Sequence, residues 1–336
     1  MLAAVTANQT ADLVGELDPD FLDRVTSLLE SVEAELATAA TAETNFVTEA
    51  AQHTISAGGK RFRPLLVVLA ALLADDVDED ALVRAALVME LTHVASLYHD
   101  DVMDEAEIRR GAPTANVRWD NTVAILVGDF LFSRASSIVA SLGTDYVRLQ
   151  AATFARLVQG QIAETRGPLD GEELLDHYLR VLADKTGSLI AASAIFGGMV
   201  AGVAEPVLKA LAAYGEEIGV VFQLSDDIID IASDTSGKTP GTDLRAGVPT
   251  LPTLLARASQ NPADERLLSL LDSDLSSDAD LAEALGLMRA HPAMADARAE
   301  ITRRAEIARG YLAPLPQGEA KAALSALCDA VISRSS

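Results

Sequence analysis

Residues 91–114 read LTHVASLYHDDVMDEAEIRRGAPT. The first half is apolar and continues a pattern that begins near Ala81, so the spacing predicts one long helix ending at about Met103. Asp100, Asp101 and Asp104 stand at its end. Helical positions four apart share a face about 5–6 Å apart, so the three carboxylates form a claw suited to a hard, oxygen-seeking cation. Residues 222–234, FQLSDDIIDIASD, repeat the spacing with Asp226, Asp227 and Asp230. A single acidic cluster on a helix is ordinarily a solvated face. Two copies, each on an apolar helical run, point instead to two claws that hold a polyanion between them through bridging metals.

Outward from these runs the pattern stays helical. Residues 1–18 read as irregular, and Asp18-Pro19 opens a helix, since proline is tolerated in the first turn. Gly58-Gly59 ends a second helix, and Pro64 opens the buried run PLLVVLAALLA, which stops at the acidic turn Asp75 to Asp80. Helical patterns then cover Ala115 to Leu142, Asp145 to Thr165, Gly171 to Ala183, Gly187 to Val203 and Pro206 to Ile231. After the second aspartate motif comes a Gly- and Pro-rich loop, SDTSGKTPGTDLRAGVP. Further helices follow at Thr250 to Ala258, Leu281 to Ala290 and Met294 to Leu312, with a final short one. No segment alternates with strand period and no linker interrupts the chain. The expectation is an all-α protein, one large helical bundle over residues 1–336 with both aspartate motifs on core helices.

Composition narrows the function. Apolar residues make up 49%, enough for a sizeable core, and the net charge of −24 argues against nucleic acid or anionic lipid as the main partner. A polyanionic ligand therefore needs a local basic island. The lone Cys328 excludes a disulfide framework and suggests a reducing compartment. The start MLAAVTANQT lacks the basic and apolar regions of a signal peptide, which makes the cytoplasm the default. The uncharged run Thr186 to Ala204 approaches the length of a membrane span. Its many Gly, Ala and Ser residues fit a helix buried inside a bundle better.

The basic island has candidates. Lys60, Arg61 and Arg63 crowd one turn ahead of a helix, where anions are favoured. Arg109-Arg110 follows the first aspartate motif, and Lys185-Thr186 and Lys238 supply further donors. His93 lies two helical turns before Asp100 on nearly the same face.

In order, GGKRFRP, HDDVMDEAEIRRGAPT, GDFLFS, DKTG, FQLSDDIID and GKTPGTDLRAG resemble the motif set of the trans-isoprenyl diphosphate synthases, over about Gly58 to Pro252. The resemblance implies an all-α bundle around a central apolar cavity, usually a homodimer. It also implies a condensation of isopentenyl diphosphate with an allylic diphosphate, with three Mg²⁺ ions between the aspartate motifs. Position by position, Asp100, Asp101, Asp104, Asp226, Asp227 and Asp230 match the metal ligands. Lys60, Arg63, His93 and Arg110 match the residues that hold isopentenyl diphosphate. Arg109, Lys185, Thr186, Gln223 and Lys238 match those on the allylic diphosphate or its metals, with Lys185 and Lys238 stabilising the departing anion. One departure stands out: Val248 occupies a place where relatives often carry lysine.

Product length follows from small residues by the same resemblance. Ala95 stands where short-chain members carry an aromatic ring, and Ser96 lies one turn before Asp100, so a product of twenty carbons or more is expected. Phe132 and Phe154 are candidates for the floor of the cavity. A terpene cyclase would not need GGKRFRP or a second intact DDxxD. A non-catalytic subunit could lose claw residues, and this chain keeps all of them. Glu90 and His93 fit one half of a di-iron site, and His99-Asp100 fits the start of an HD phosphohydrolase motif, but neither has the further ligands it needs.

Overall fold

The computed structural model describes residues 13–15, 17–232 and 240–334. Most of the N-terminal stretch expected to be irregular, and Lys238, lie outside them. The helices are α1 Pro19–Ala39, α2 Asn45–Ser56, α3 Phe62–Ala71 and α4 Glu79–Met103. A hairpin of two-residue strands follows, β1 Ile108–Arg109 and β2 Ala112–Pro113, then α5 Ala115–Arg118, α6 Asn121–Leu142, α7 Thr144–Arg166, α8 Leu174–Leu182, α9 Ser188–Val200 and α10 Glu205–Ala232. The chain closes with α11 Thr242–Arg245, α12 Leu251–Arg257, α13 Glu265–Leu271, α14 Asp278–Ala290, α15 Ala293–Tyr311 and α16 Glu319–Ser333. The fold is all-α. These residues group into two compact units that alternate along the chain. One runs to Ala155 and includes Leu189–Gly215 and Tyr311–Leu327; the other comprises Arg156–Ser188, Glu216–Gly310 and the residues from Cys328 on.

Short polar side chains set the helix starts. The Asp18 carboxylate accepts from the backbone N–H groups of Asp20 and Phe21, and Asp78 accepts from that of Ala81 at 2.9 Å. The acidic turn therefore serves as the N-cap of α4. Asp120 does the same for Val123. This cap, with an extended backbone at Asp120, divides the helix expected over Ala115 to Leu142 into α5 and α6. The loop at 109–113 is a hairpin, because Arg110 and Gly111 both adopt positive φ (53° and 76°), as the tight turn between twisted antiparallel strands requires. Sequence periodicity also missed α13, too short for a pattern to emerge.

In the first unit, α4 is wrapped on nearly all sides: Leu82, Val88, Met89, Leu91, Val94 and Tyr98 are fully buried. At about 1.5–3 kcal/mol per buried large apolar side chain, this helix anchors the unit. Gly128 of α6 lets the two helices meet, since a Cβ there would fall 2.3 Å from His99 Nε2. Gly197 of α9 likewise abuts the Val67 carbonyl of α3.

Two helices, α4 and α6, are long and apolar enough to cross a membrane by length and composition. The apolar window of α4 is 72% buried inside the protein and that of α6 33%. The expected run at Thr186 to Ala204 contributes the 13-residue α9, short of the roughly 20 residues a span needs.

Candidate active site

In the first unit the basic turn before α3 is held by a dense set of hydrogen bonds. Gly58 and Gly59 adopt positive φ (92° and 156°), and so does Arg61 (47°). Arg61 is 4% exposed. Its Nε and Nη2 donate to the two Glu33 carboxylate oxygens at 2.6 and 2.8 Å, and its Nη1 donates to Glu90 Oε1 at 3.1 Å. The Ile55 and Gly58 carbonyls accept from the same guanidinium. Arg110 Nη1 donates to the Thr54 carbonyl at 3.1 Å and also to that of Gly58. Tyr98 fastens α4 beneath this turn, donating to the Ala50 carbonyl at 2.6 Å.

Arg63 behaves differently. Its Nε is buried with no hydrogen-bond partner, and desolvation lowers its pKa to about 10, with Glu90 opposing and Arg110 adding to the fall. His93 is held well below its ordinary value by desolvation and then by the fields of Arg63, Arg110, Arg109 and Arg61. Its imidazole is neutral at pH 7. A neutral histidine and an unpartnered arginine beside further arginines form a cradle that an anion would complete.

At the end of α4, Asp101 is 1% exposed. One carboxylate oxygen accepts from Arg109 Nε at 2.5 Å, and the other, Oδ2, is buried without a partner. Desolvation raises the Asp101 pKa, with Arg109 opposing. Asp104 is exposed at the C-cap of α4, and Asp100 is half-buried. Lower on the helix, Ala95 and Ser96 are buried, and the Ser96 hydroxyl donates to the His93 carbonyl at 2.8 Å. Phe132 and Phe154 contact each other, with ring centroids 4.2 Å apart.

The second unit holds the other motif on α10. Asp227 is 4% exposed. The Tyr178 hydroxyl of α8 donates to its Oδ2, and the Leu251 N–H approaches the same oxygen at 3.4 Å. Burial pushes the Asp227 carboxyl up to about 8; Tyr178 and Leu251 oppose the rise, and Asp243 and Asp226 add to it. Asp226 pairs with Arg334 at 2.7 Å, whose guanidinium also lies over the Phe222 ring. Asp230 accepts from the backbone N–H groups of Thr242 and Asp243. Lys185 and Thr186 lie in a π turn, Ala183–Gly187, a helix irregularity common at functional sites. Gly160 of α7 packs onto that turn, where a Cβ would fall 2.7 Å from the Lys185 nitrogen. Lys185 Nζ meets Glu164 at 2.5 Å. Gln223 is half-buried on α10, and Val248 is largely exposed.

The donor set suits Mg²⁺, being carboxylate oxygen throughout, and the orphaned Asp101 Oδ2 is an atom a cation would satisfy. Among the described residues no three His, Cys, Asp or Glu side chains are gathered as a ready-made cage. Mg²⁺ takes one or two carboxylates and completes its shell from phosphate oxygens and water. Sequence reasoning passed over Glu33, Tyr178 and Arg334, and saw Arg61 only as one charge in a basic turn. Their partners lie 28, 49 and 108 residues away for Arg61–Glu33, Tyr178–Asp227 and Arg334–Asp226, beyond the reach of local pattern. Glu90 serves Arg61, which leaves the di-iron pattern without its glutamate.

The polyprenyl synthetase family's sequence model matches residues 44–288. The chain is 49% identical over 284 residues to the nonaprenyl diphosphate synthase of Mycobacterium tuberculosis, covering 84% of this chain and 85% of the relative. It is 39% identical over 320 residues to a dimethylallyltranstransferase of the same organism, covering 94% and 97%. Among solved structures it resembles a geranylgeranyl pyrophosphate synthase of Corynebacterium glutamicum complexed with calcium and isoprenyl diphosphate. There the TM-score is 0.85 at 41% identity, over 95% of this chain and 99% of that one. The chain belongs to the polyprenyl synthetase family and is a prenyltransferase, a polyprenyl diphosphate synthase that elongates all-trans prenyl chains.

Proposed function

We propose that this enzyme condenses isopentenyl diphosphate with an allylic diphosphate, using Mg²⁺, to make a product of geranylgeranyl length or longer. The observation that carries this is the cradle of Arg63, Arg110 and neutral His93, whose buried Arg63 Nε lacks a partner. Lys60, Arg63, His93 and Arg110 hold isopentenyl diphosphate there. Arg109, Lys185, Thr186, Gln223 and Lys238 grip the allylic diphosphate. Asp100, Asp101, Asp104, Asp226, Asp227 and Asp230 would hold the metal, in three ions once substrate is bound. When bound, Mg²⁺ supplies the positive charge that makes diphosphate a competent leaving group.

The chain's own groups do the rest. Lys185 and Lys238 stabilise the departing diphosphate as the allylic carbon–oxygen bond breaks. The isopentenyl double bond, positioned by the cradle, attacks the allylic cation, and a carbon–carbon bond forms. A proton must then leave the isopentenyl unit. His93 is a poor acceptor, because desolvation and then the arginines around it oppose its protonation. The released diphosphate takes the proton.

The test combines purified protein, Mg²⁺ and isopentenyl diphosphate with dimethylallyl, geranyl or farnesyl diphosphate, and measures product length by mass spectrometry. Chains of twenty carbons or more are expected, and no condensation with any primer would overturn the proposal. In the same assay Ala95→Phe should shorten the dominant product by at least one five-carbon unit, because a ring at this buried position narrows the space beneath the aspartates. An unchanged distribution would show that the tail runs elsewhere.

The homodimer is proposed on α6. Ile125 and Leu126 are 43% and 60% exposed on a strongly apolar helix, and a second copy would cover them. Sedimentation should give twice the chain mass, and Leu126→Glu should halve it. The single buried Cys328 supports a reducing compartment, and we place the enzyme in the cytoplasm.

A further inference from the structure

We propose that Arg61 is a positioning residue: clamped between Glu33 of α1 and Glu90 of α4, it sets the turn from which Lys60 and Arg63 reach the diphosphate of isopentenyl diphosphate. The inference rests on the reading of that turn given above.

Arg61 is not itself a ligand for the anion. Its Nε, Nη1 and Nη2 all bond protein oxygens, and the side chain is 2% exposed. Its backbone is left-handed, with φ 47° and ψ 36°, a conformation that side-chain-bearing residues adopt only when their surroundings enforce it. The enforcement is visible. Glu33 grips the guanidinium with a two-point fork, Glu90 takes the third nitrogen, and the Gly58 carbonyl accepts from both Arg61 and Arg110. Gly59 fits between these two arginines. A Cβ at Gly59 would lie 2.8 Å from Arg61 Nη1 and 3.0 Å from Arg110 Cζ.

The clamp also balances charge. Arg61, Arg63 and Arg110 share this space with the carboxylates of Glu33 and Glu90. Glu33 forms its two-point fork with Arg61, so that carboxylate is bound to Arg61 rather than to Arg63 or Arg110. Glu33 stands ahead of residues 44–288, the segment matched by the family, so α1 takes part in the site from outside that segment.

Two conservative variants test this. Glu33→Gln keeps the side-chain shape and removes the charge, and Arg61→Lys keeps the charge and removes the fork. Calorimetry with isopentenyl diphosphate alone, which cannot condense without an allylic partner, measures binding without turnover. Both variants should weaken that binding about tenfold and raise its KM in parallel, the size of effect expected when a charged hydrogen bond is misaligned. The KM of the allylic substrate should change less than about twofold. An equal rise in both KM values, or unchanged isopentenyl diphosphate binding, would overturn the proposal. So would failure of both variants to fold, since the clamp would then be a staple of the fold and nothing more. Lys60→Ala separates the layers of the argument. If it leaves isopentenyl diphosphate binding unchanged, the reading of the turn itself is wrong. If it weakens binding while Glu33→Gln does not, only the positioning role of Arg61 fails.

Discussion

Asp227→Asn is expected to cut turnover about a thousandfold, the scale on which removing a preorganised electrostatic group acts, without destabilising the metal-free protein at alkaline pH. Asp227 is buried, with a carboxyl pushed up to about 8, far above its value in an unfolded chain. The folded state therefore binds the extra proton. That contribution to stability is fully present below about pH 4 and is lost progressively as pH rises to about 8. Asparagine carries no titrating proton, so the variant should gain on the wild type across this window and keep its advantage above it. Thermal melts of both proteins in chelator, from pH 5 to 9, give the check. A variant that melts lower at pH 9 than the wild type would show that the ionised carboxylate has a structural role. The same proton must leave before Asp227 can bind a metal. Mg²⁺ affinity in the wild type should therefore climb between pH 6 and 8, and this rise should be absent in Asp227→Asn.

Arg63→Met is expected to raise the KM for isopentenyl diphosphate by about 10- to 100-fold, the range of a charge-assisted hydrogen bond lost in a buried setting. The allylic KM should hold. The asymmetry follows from the orphaned Nε: Arg63 makes no hydrogen bond through that nitrogen within the protein, which leaves the donor open to an acceptor from outside. Because desolvation already lowers the Arg63 pKa to about 10, replacing it with an apolar side chain of similar length also relieves a buried charge. Melting temperature should stay level or rise. A lower melting temperature with an unchanged KM would make Arg63 a structural residue and leave the cradle without its central donor. Steady-state kinetics with each substrate varied in turn, beside a thermal melt, distinguishes the outcomes.

Asp227 and Arg63 differ in how far the chain's local pattern reveals them. Asp227 was visible at once, since DDIID on an apolar helix is a local pattern and helical spacing alone puts its carboxylates on one side. The helical class, the apolar run of α4, the proline start at Pro19 and the basic turn at 58–64 were visible for the same reason. Each rests on neighbours within about one or two turns. Some local features lie outside hydrophobic periodicity. The break at Asp120 and the hairpin at Arg110-Gly111 come from a cap and a pair of positive φ angles, which hydrophobic periodicity does not report.

The division of labour inside the basic turn could not be read that way. Lys60, Arg61 and Arg63 look alike as a string of cations. Folding brings Glu33 and Glu90 onto Arg61 and gives the Arg63 Nε no partner, so two arginines that look alike in the sequence end in different surroundings. The two aspartate helices show the same thing. Arg109 took Asp101, Tyr178 took Asp227 and Arg334 took Asp226. A carboxylate's pKa and its partners depend on what is packed against it, and packing joins residues that the chain keeps far apart. Residue types and their periods therefore settled which chemistry this protein carries, whereas burial and long-range pairing settled which partner and which surroundings each charged residue has.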